Sequence, residues 1–242
     1  MSIFRIATWN TQGNSFAEEK LASLVNKFAP DVICLQECGD LLHLKFPIKS
    51  WGCHRGYKKI GNFSYDMVYY PWGNENLRCS LVTLLRRDAF ASMHSDDVEM
   101  SFLSNSEALP LDIDYSPIID PHFKGTRPML STSVYVELDY IRKKISINNV
   151  HLISGNHAGA QKMFDNFVES CTGSYIIIGD MNIPPDKIKV PCISYLHTPN
   201  EFTHQCGKVL DYVYTNLRCQ LIGVDTCFRN SDHLSVVYEI TI

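Results

Sequence analysis

The chain has 242 residues, 45% of them hydrophobic, 11% aromatic and 20% charged, with a formal net charge of −4. These proportions are those of a globular protein and exclude disordered, collagenous and coiled-coil chains. No apolar run approaches the roughly 20 residues needed to cross a bilayer, and the net charge excludes a generally basic surface that grips nucleic acid by counterion release alone.

In chain order, the segment Phe4 to Asn10 alternates with period two and predicts a strand. The residues before it lack the basic, apolar and cleavage regions of a signal peptide in series. Gly13-Asn14-Ser15 breaks the strand, and Ser15 is placed to cap a helix over 17–28 with Leu21, Leu24, Val25 and Phe28 on one face. Pro30 ends that helix. The apolar run from Asp31 to Gln36 predicts a strand covered on both faces. Further strands are expected over 65–70, 80–85, 129–138, 144–150, 175–178, 209–214 and 234–240. A second helix is expected over 158–171, with Met163, Phe167 and Val168 inward.

The stretch from His94 to Gly125, with Pro110, Pro117 and Pro121, reads as a long loop or insertion. Arg142-Lys143-Lys144 reads as a solvated hairpin turn, and Trp9 as a side chain packed between sheets. No repeat, low-complexity tract or linker divides the chain, so one domain is expected over residues 1–242. Many strands with two clear helices favour two packed sheets with helices outside.

The nine cysteines are odd in number, and several sit in apolar runs such as Val32-Ile33-Cys34-Leu35. There a reduced thiol acts as a small hydrophobe. Cys34 and Cys38 lack a CxxC spacing, and no second pair completes a tetrahedral zinc set. Reduced thiols are therefore expected, with disulfides reserved for a secreted protein. Together with the missing signal pattern, this leans toward the cytosol or an effector delivered by another route.

The main functional signal is that polar residues recur beside apolar strands. Asn10 ends the first and Glu37 follows the second. His151 closes Ile145 to Val150, and Asp180 with Asn182 follow Ile176-Ile177-Ile178-Gly179. Asp211 lies within Leu210-Asp211-Tyr212, and Asp232-His233 are expected to open the last strand. Singly, each reads as a turn, cap or surface residue. A carboxylate in an apolar strand is nevertheless costly unless paired, hydrogen-bonded or metal-bound, and six such positions point to one shared site. The carboxylates and amides offer hard oxygen ligands suited to Mg²⁺, Mn²⁺ or Ca²⁺. His151 and His233 are suited to acid–base work near neutral pH. Phosphodiester hydrolysis needs those parts, and a bound cation supplies positive charge that a residue count does not show. The other histidines, among them His204 and His197, read as scattered and solvent-facing or locally bonded.

The ordered series Thr8-Trp9-Asn10, Leu35-Gln36-Glu37, Asn149-Val150-His151, Gly179-Asp180-Met181-Asn182, Leu210-Asp211-Tyr212 and Ser231-Asp232-His233 resembles the endonuclease/exonuclease/phosphatase superfamily. That superfamily includes DNase I, the apurinic endonucleases, sphingomyelinases and inositol-polyphosphate phosphatases. Within it, the chain is most similar to the B subunits of cytolethal distending toxins. Ala7 to Gly13, Asn76 to Arg87, Gly125-Thr126-Arg127-Pro128 and His151 to Asn156 carry that likeness.

The resemblance implies an α/β, four-layer αββα sandwich: two mostly antiparallel sheets flanked by helices, DNase I-like. It implies a Mg²⁺-dependent DNA endonuclease, with delivery or binding subunits if the protein is a toxin. Glu37 is then the principal metal ligand, with Asn10 and Asp232 close to the same ion. His233 is the base oriented by Asp211, and His151 the acid. Asp180 and Asn182 hold water or phosphate, while Arg78 and Arg127 clamp phosphate oxygens. Either histidine can hold either role on sequence alone. The glutamate that partners the first histidine in DNase I is missing near Arg78 and Cys79, so the partner of His151 is unassigned. The same core would serve a phosphatase acting on phosphoinositides or other phosphate esters. A catalytically silent binding module would not need the intact set.

Overall fold

The computed structural model describes residues 3–13, 18–39, 41, 48–50, 53–72, 79–89, 102–103, 127–138, 141–226 and 231–242. The elements in order are β1 (Ile3–Asn10), α1 (Glu18–Phe28), β2 (Val32–Gln36), β3 (Ile48–Ser50), β4 (Cys53–Ile60), β5 (Phe63–Tyr70) and β6 (Leu81–Arg86). They continue with β7 (Phe102–Leu103), β8 (Met129–Leu138), β9 (Ile141–His151), α2 (His157–Ser170), β10 (Ser174–Asp180), β11 (Leu196–His197), β12 (Asp211–Thr215), β13 (Arg218–Val224) and β14 (Val236–Thr241). An eight-stranded sheet runs β13-β14-β1-β2-β6-β5-β4-β3, and a six-stranded sheet runs β11-β12-β10-β9-β8-β7. Only β1 with β2 and β9 with β10 pair in parallel; the other pairings are antiparallel.

Strand alternation builds four layers. Phe4, Ile6, Val32, Cys34, Ile145, Ile147, Ile176, Ile178, Val213 and Val236 fill the space between the sheets. The opposite faces bury Ala7, Trp9, Ile33 and Leu35 with Leu21, Leu24, Val25 and Phe28 of α1. On the far side, Val150, Ile177, Tyr212 and Tyr214 pack with Ala160, Met163, Phe164 and Phe167 of α2. The sandwich is as expected.

Toward one end, the same inward positions turn polar. In β1 the series is Phe4, Ile6, Thr8, Asn10; in β9 it is Ile145, Ile147, Asn149, His151. A neutral stratum comes first. Asn149 Nδ2 donates to the carbonyls of Leu35 (3.1 Å) and Val82 (2.9 Å) in the opposite sheet, and Gln36 Nε2 donates to Asn149 Oδ1 at 2.8 Å. Each of these buried amides is thus satisfied across the gap, which fixes one sheet against the other just below the site.

Several expectations are corrected. Trp9 lies on the outer face of β1 under α1, because the inner face belongs to Thr8 and Asn10. Arg142-Lys143-Lys144 is part of β9, paired with Glu137, Val136 and Tyr135 of β8, rather than a turn. Asp232 and His233 precede β14 rather than opening it. Strands β3, β4, β7, β11 and β13 had no sequence signal: they are short, or mixed in polarity and half-exposed, like Cys53–Ile60 and Arg218–Val224. The Ser15 cap lies outside the described residues, as does nearly all of 94–125. The eight described cysteines are free thiols.

Gly179 fixes the backbone beside the site. It has φ +150°, and a Cβ there would stand 1.9 Å from the Val150 carbonyl oxygen in the neighbouring strand. Gly179→Ala is therefore expected to cost more than about 2 kcal/mol, seen as a lower urea midpoint with an unchanged slope. A midpoint like the wild type's would contradict this close approach.

Candidate active site

Two β-α-β units, β1-α1-β2 and β9-α2-β10, bring four strand carboxyl ends to one rim. This is where open α/β sheets place ligands. Asn10, His151 and Asp180 are the last residues of their strands, and Glu37 follows β2 directly. Antiparallel neighbours add their amino ends: Asp211 pairs with Asp180, and the segment before β14 lies beside the end of β1.

The groups converge on one atom, Asp180 Oδ2. It accepts from Asn10 Nδ2 and Asn182 Nδ2, each at 3.0 Å. His151 Nε2 stands 3.5 Å away and His233 Nε2 3.7 Å away. The Asn182 backbone N–H donates to Asp180 Oδ1 at 3.0 Å. Asn10 also donates to Glu37 Oε1 at 3.1 Å, and the Gln12 N–H donates to Asn10 Oδ1 at 2.9 Å, which orients the amide. Glu37 (φ +52°), Asn182 (+51°) and Gln12 (+54°) are non-glycine residues in the left-handed region. Such strain concentrates at functional sites.

His233 is held by a dyad: Asp211 Oδ2 lies 2.8 Å from its Nδ1. Ser231 Oγ donates to the Asn10 carbonyl at 2.6 Å and accepts from the His233 N–H at 3.0 Å. The Asp232 N–H donates to Gln12 Oε1, and Asp232 Oδ1 lies 3.8 Å from His233 Nε2. Arg127 donates to the Leu152 carbonyl at 3.1 Å, which Asn182 Nδ2 also reaches at 2.8 Å. Glu37, Asn10, His151, Asp180, Asn182, Asp211, Asp232, His233 and Arg127 therefore occupy one site. Arg78 lies outside the described residues. His157 is the exposed first residue of α2.

The two imidazoles are tuned in opposite directions. Burial, reinforced by the charges of Arg127 and His233, holds His151 well below the ordinary value. Burial also pulls His233 down, but Asp211, then Asp180 and Asp232, outweigh it and hold it at about 10. Burial drives the Asp180 carboxyl up, against the pull of His233 and the hydrogen bonds from Asn10 and Asn182. Without a cation, then, His151 is the neutral imidazole and His233 the charged one. His151 Nδ1 is buried without a hydrogen-bond partner, and no carboxylate takes the place of the missing glutamate, among the described residues.

Four carboxylates and two amides in so small a volume form an oxygen-rich donor set, and Asp211 Oδ1 is buried without a hydrogen-bond partner among the described residues. That chemistry fits a hard divalent cation. Sequence reading gave no role to His204, Thr203, Ser231 or Gln12, although Ser231 and Gln12 stand within the quoted motifs. They lie in irregular segments without periodicity, and His204 had been grouped with the scattered histidines.

The Endonuclease/Exonuclease/phosphatase family model matches residues 7–233. The chain belongs to this family. It is a hydrolase of the phosphodiesterase and nuclease type that the family comprises. Similar solved structures include the cytolethal distending toxin of Actinobacillus actinomycetemcomitans, with TM-score 0.64 and 19% identity over 97% of each chain. A family protein from Leptotrichia buccalis C-1013-b is also similar, with TM-score 0.64 and 14% identity over 99% of this chain and 100% of that one. The human Nocturnin catalytic domain with bound sulfate gives 0.52 and 14%, over 99% and 94%. No curated protein matches the sequence.

The raised His233 value has a stability consequence. The folded state binds this proton more tightly than the unfolded chain, so the contribution is full below about pH 6.5 and is lost as pH rises through about 10. Asp211→Asn in the metal-free protein should lower unfolding free energy by a few kcal/mol at about pH 6, with the deficit shrinking toward about pH 10. A pH-independent deficit in urea titrations would count against the dyad as its source.

Proposed function

We propose that this family member is a Mg²⁺-dependent DNA endonuclease of the distending-toxin B type, acting as one catalytic domain. The observation that carries the reading is the convergence at Asp180 Oδ2: oxygen donors for a cation and two oppositely tuned imidazoles share one carboxylate. The toxin-like motifs around Asn10 and Arg127, and the likeness to distending-toxin structures, favour DNA as the substrate. The sulfate bound in the Nocturnin structure is consistent with a tetrahedral anion as ligand of this fold. Companion subunits that deliver the nuclease belong to the same reading.

In this proposal Glu37, Asn10 and Asp232 hold Mg²⁺, with Mn²⁺ or Ca²⁺ as alternatives. The cation neutralises charge on the phosphate oxygens. Arg127 presents its guanidinium to a phosphate oxygen, with Arg78 as the second clamp. Asp180 and Asn182 orient the water and the phosphate. His233, already charged through Asp211, donates a proton or a hydrogen bond to the leaving oxygen. Neutral His151 is free to accept a proton. This assignment reverses the roles expected for the two histidines, and their opposite electrostatic environments in the metal-free site support it.

Purified protein is expected to nick supercoiled plasmid with Mg²⁺ and to lose that activity in EDTA. His151→Ala and His233→Ala should each lose about a hundredfold or more in rate. A folded protein that leaves plasmid intact yet releases inorganic phosphate from phosphatidylinositol trisphosphate would replace the nuclease reading with the phosphatase one.

A further inference from the structure

His204 stands at the edge of the site and has no role in the mechanism above. Its segment is tied to the catalytic loop by backbone hydrogen bonds: Gln205 N–H to the Asp232 carbonyl at 2.9 Å, and Leu234 N–H to the Thr203 carbonyl at 2.7 Å. These make His204 and His233 partners in an isolated antiparallel bridge. The buried Thr203 hydroxyl accepts from the N–H groups of Leu210 and Asp211, so one short hairpin touches Asp211, Asp232 and His233 together. The His204 ring meets the His233 ring edge-on, with centroids 4.6 Å apart and planes at 83°.

The tautomer of His204 follows from its neighbours. The Cys206 N–H donates to His204 Nδ1 at 2.9 Å, so that nitrogen is the acceptor. In a neutral imidazole the proton then lies on Nε2. Nε2 faces Asp232 Oδ2 at 3.2 Å. His204, Asp232 and His233 are close enough to be taken for a metal-binding trio, but a nitrogen that carries a proton has no lone pair for a metal. His204 is a donor to Asp232 instead.

We propose that His204 is a positioning residue: its Nε2–H holds the Asp232 carboxylate beside His233 and aims the other carboxylate oxygen at the cation. This rests on the reading of Asp232 as a cation ligand. The Asp232 carboxylate is more than a quarter exposed, and without this donor it is free to rotate toward solvent. Partners that orient metal-binding side chains typically matter tenfold or more.

The test uses the full chain and Mn²⁺ alone as the probe, followed by titration calorimetry without substrate. Plasmid nicking supplies kcat and KM. His204→Ala should weaken Mn²⁺ binding about tenfold and lower kcat with little change in KM. His204→Phe, which keeps an edge-on ring but has no donor, should behave like the alanine variant. His204→Gln, whose amide can donate from the same place, should recover most of the affinity. In an Asp232→Ala background, removing His204 should weaken Mn²⁺ binding no further, because coupled residues are not additive. In the metal-free protein, ¹⁵N spectra should show His204 with its proton on Nε2.

Additive losses in the double variant, a glutamine variant no better than phenylalanine, or a proton on Nδ1 would each overturn the inference. So would wild-type Mn²⁺ affinity in His204→Phe while Asp232→Ala binds weakly. Should Asp232→Ala itself bind Mn²⁺ as tightly as the wild type, the cation-ligand reading fails first and the inference falls with it.

Discussion

A carboxylate buried between two sheets is the constraint on which the rest of this structure depends. Asp180 sits at the inner end of β10, where bare ionisation would be heavily penalised. Two amides from different parts of the chain, a backbone N–H and two imidazoles gather around it. Those partners come from the ends of β1 and β9, the turn after β10 and the segment before β14. Satisfying Asp180 therefore draws the two sheets' rims together, and the site is the by-product of that closure. The positive φ of Glu37, Gln12 and Asn182 shows the backbone bending to meet this requirement.

The space between the sheets is graded. Its middle is filled by valine, isoleucine and phenylalanine, which hold the layers together by apolar burial. Next come Thr8, Gln36 and Asn149, neutral side chains that bond to one another and to the opposing backbone. The charged groups come last, at the rim. Removing charge from the apolar middle by one intervening stratum lets Asp180, Asp211 and His151 be buried without disrupting the core. Gly179 serves the same end by letting the Val150 carbonyl approach where any side chain would collide.

A net charge of −4 and a phosphodiesterase-type site are reconciled by where the charges lie. Four carboxylates, Glu37, Asp180, Asp211 and Asp232, gather at the site, where they suit a cation, while Arg127 and the charged His233 face the same place. Membership of the family accounts for the metal-supporting core. It leaves the choice of phosphate ester to the residues outside that shared core.

Much of this was legible in the sequence because it depends on local periodicity. Alternation located β1, a continuous apolar run located β2, and further strand-like runs located β5, β6, β8, β9, β10, β12 and β14. The 3.6-residue pattern located α1 and α2, and the polar residues at apolar strand ends are ones that the fold brings together. Alternation assigns a side chain to a face without saying what covers that face, so Trp9 was put in the wrong layer. Strands such as β4 and β13, mixed in polarity at sheet edges, left no periodic mark. His204 was invisible for a similar reason: its partner lies 28 residues away, joined by an irregular bridge. Which residues could do chemistry was written in the chain; which nitrogen carries a proton, and which imidazole is charged, was decided only when folding set burial and neighbours around them.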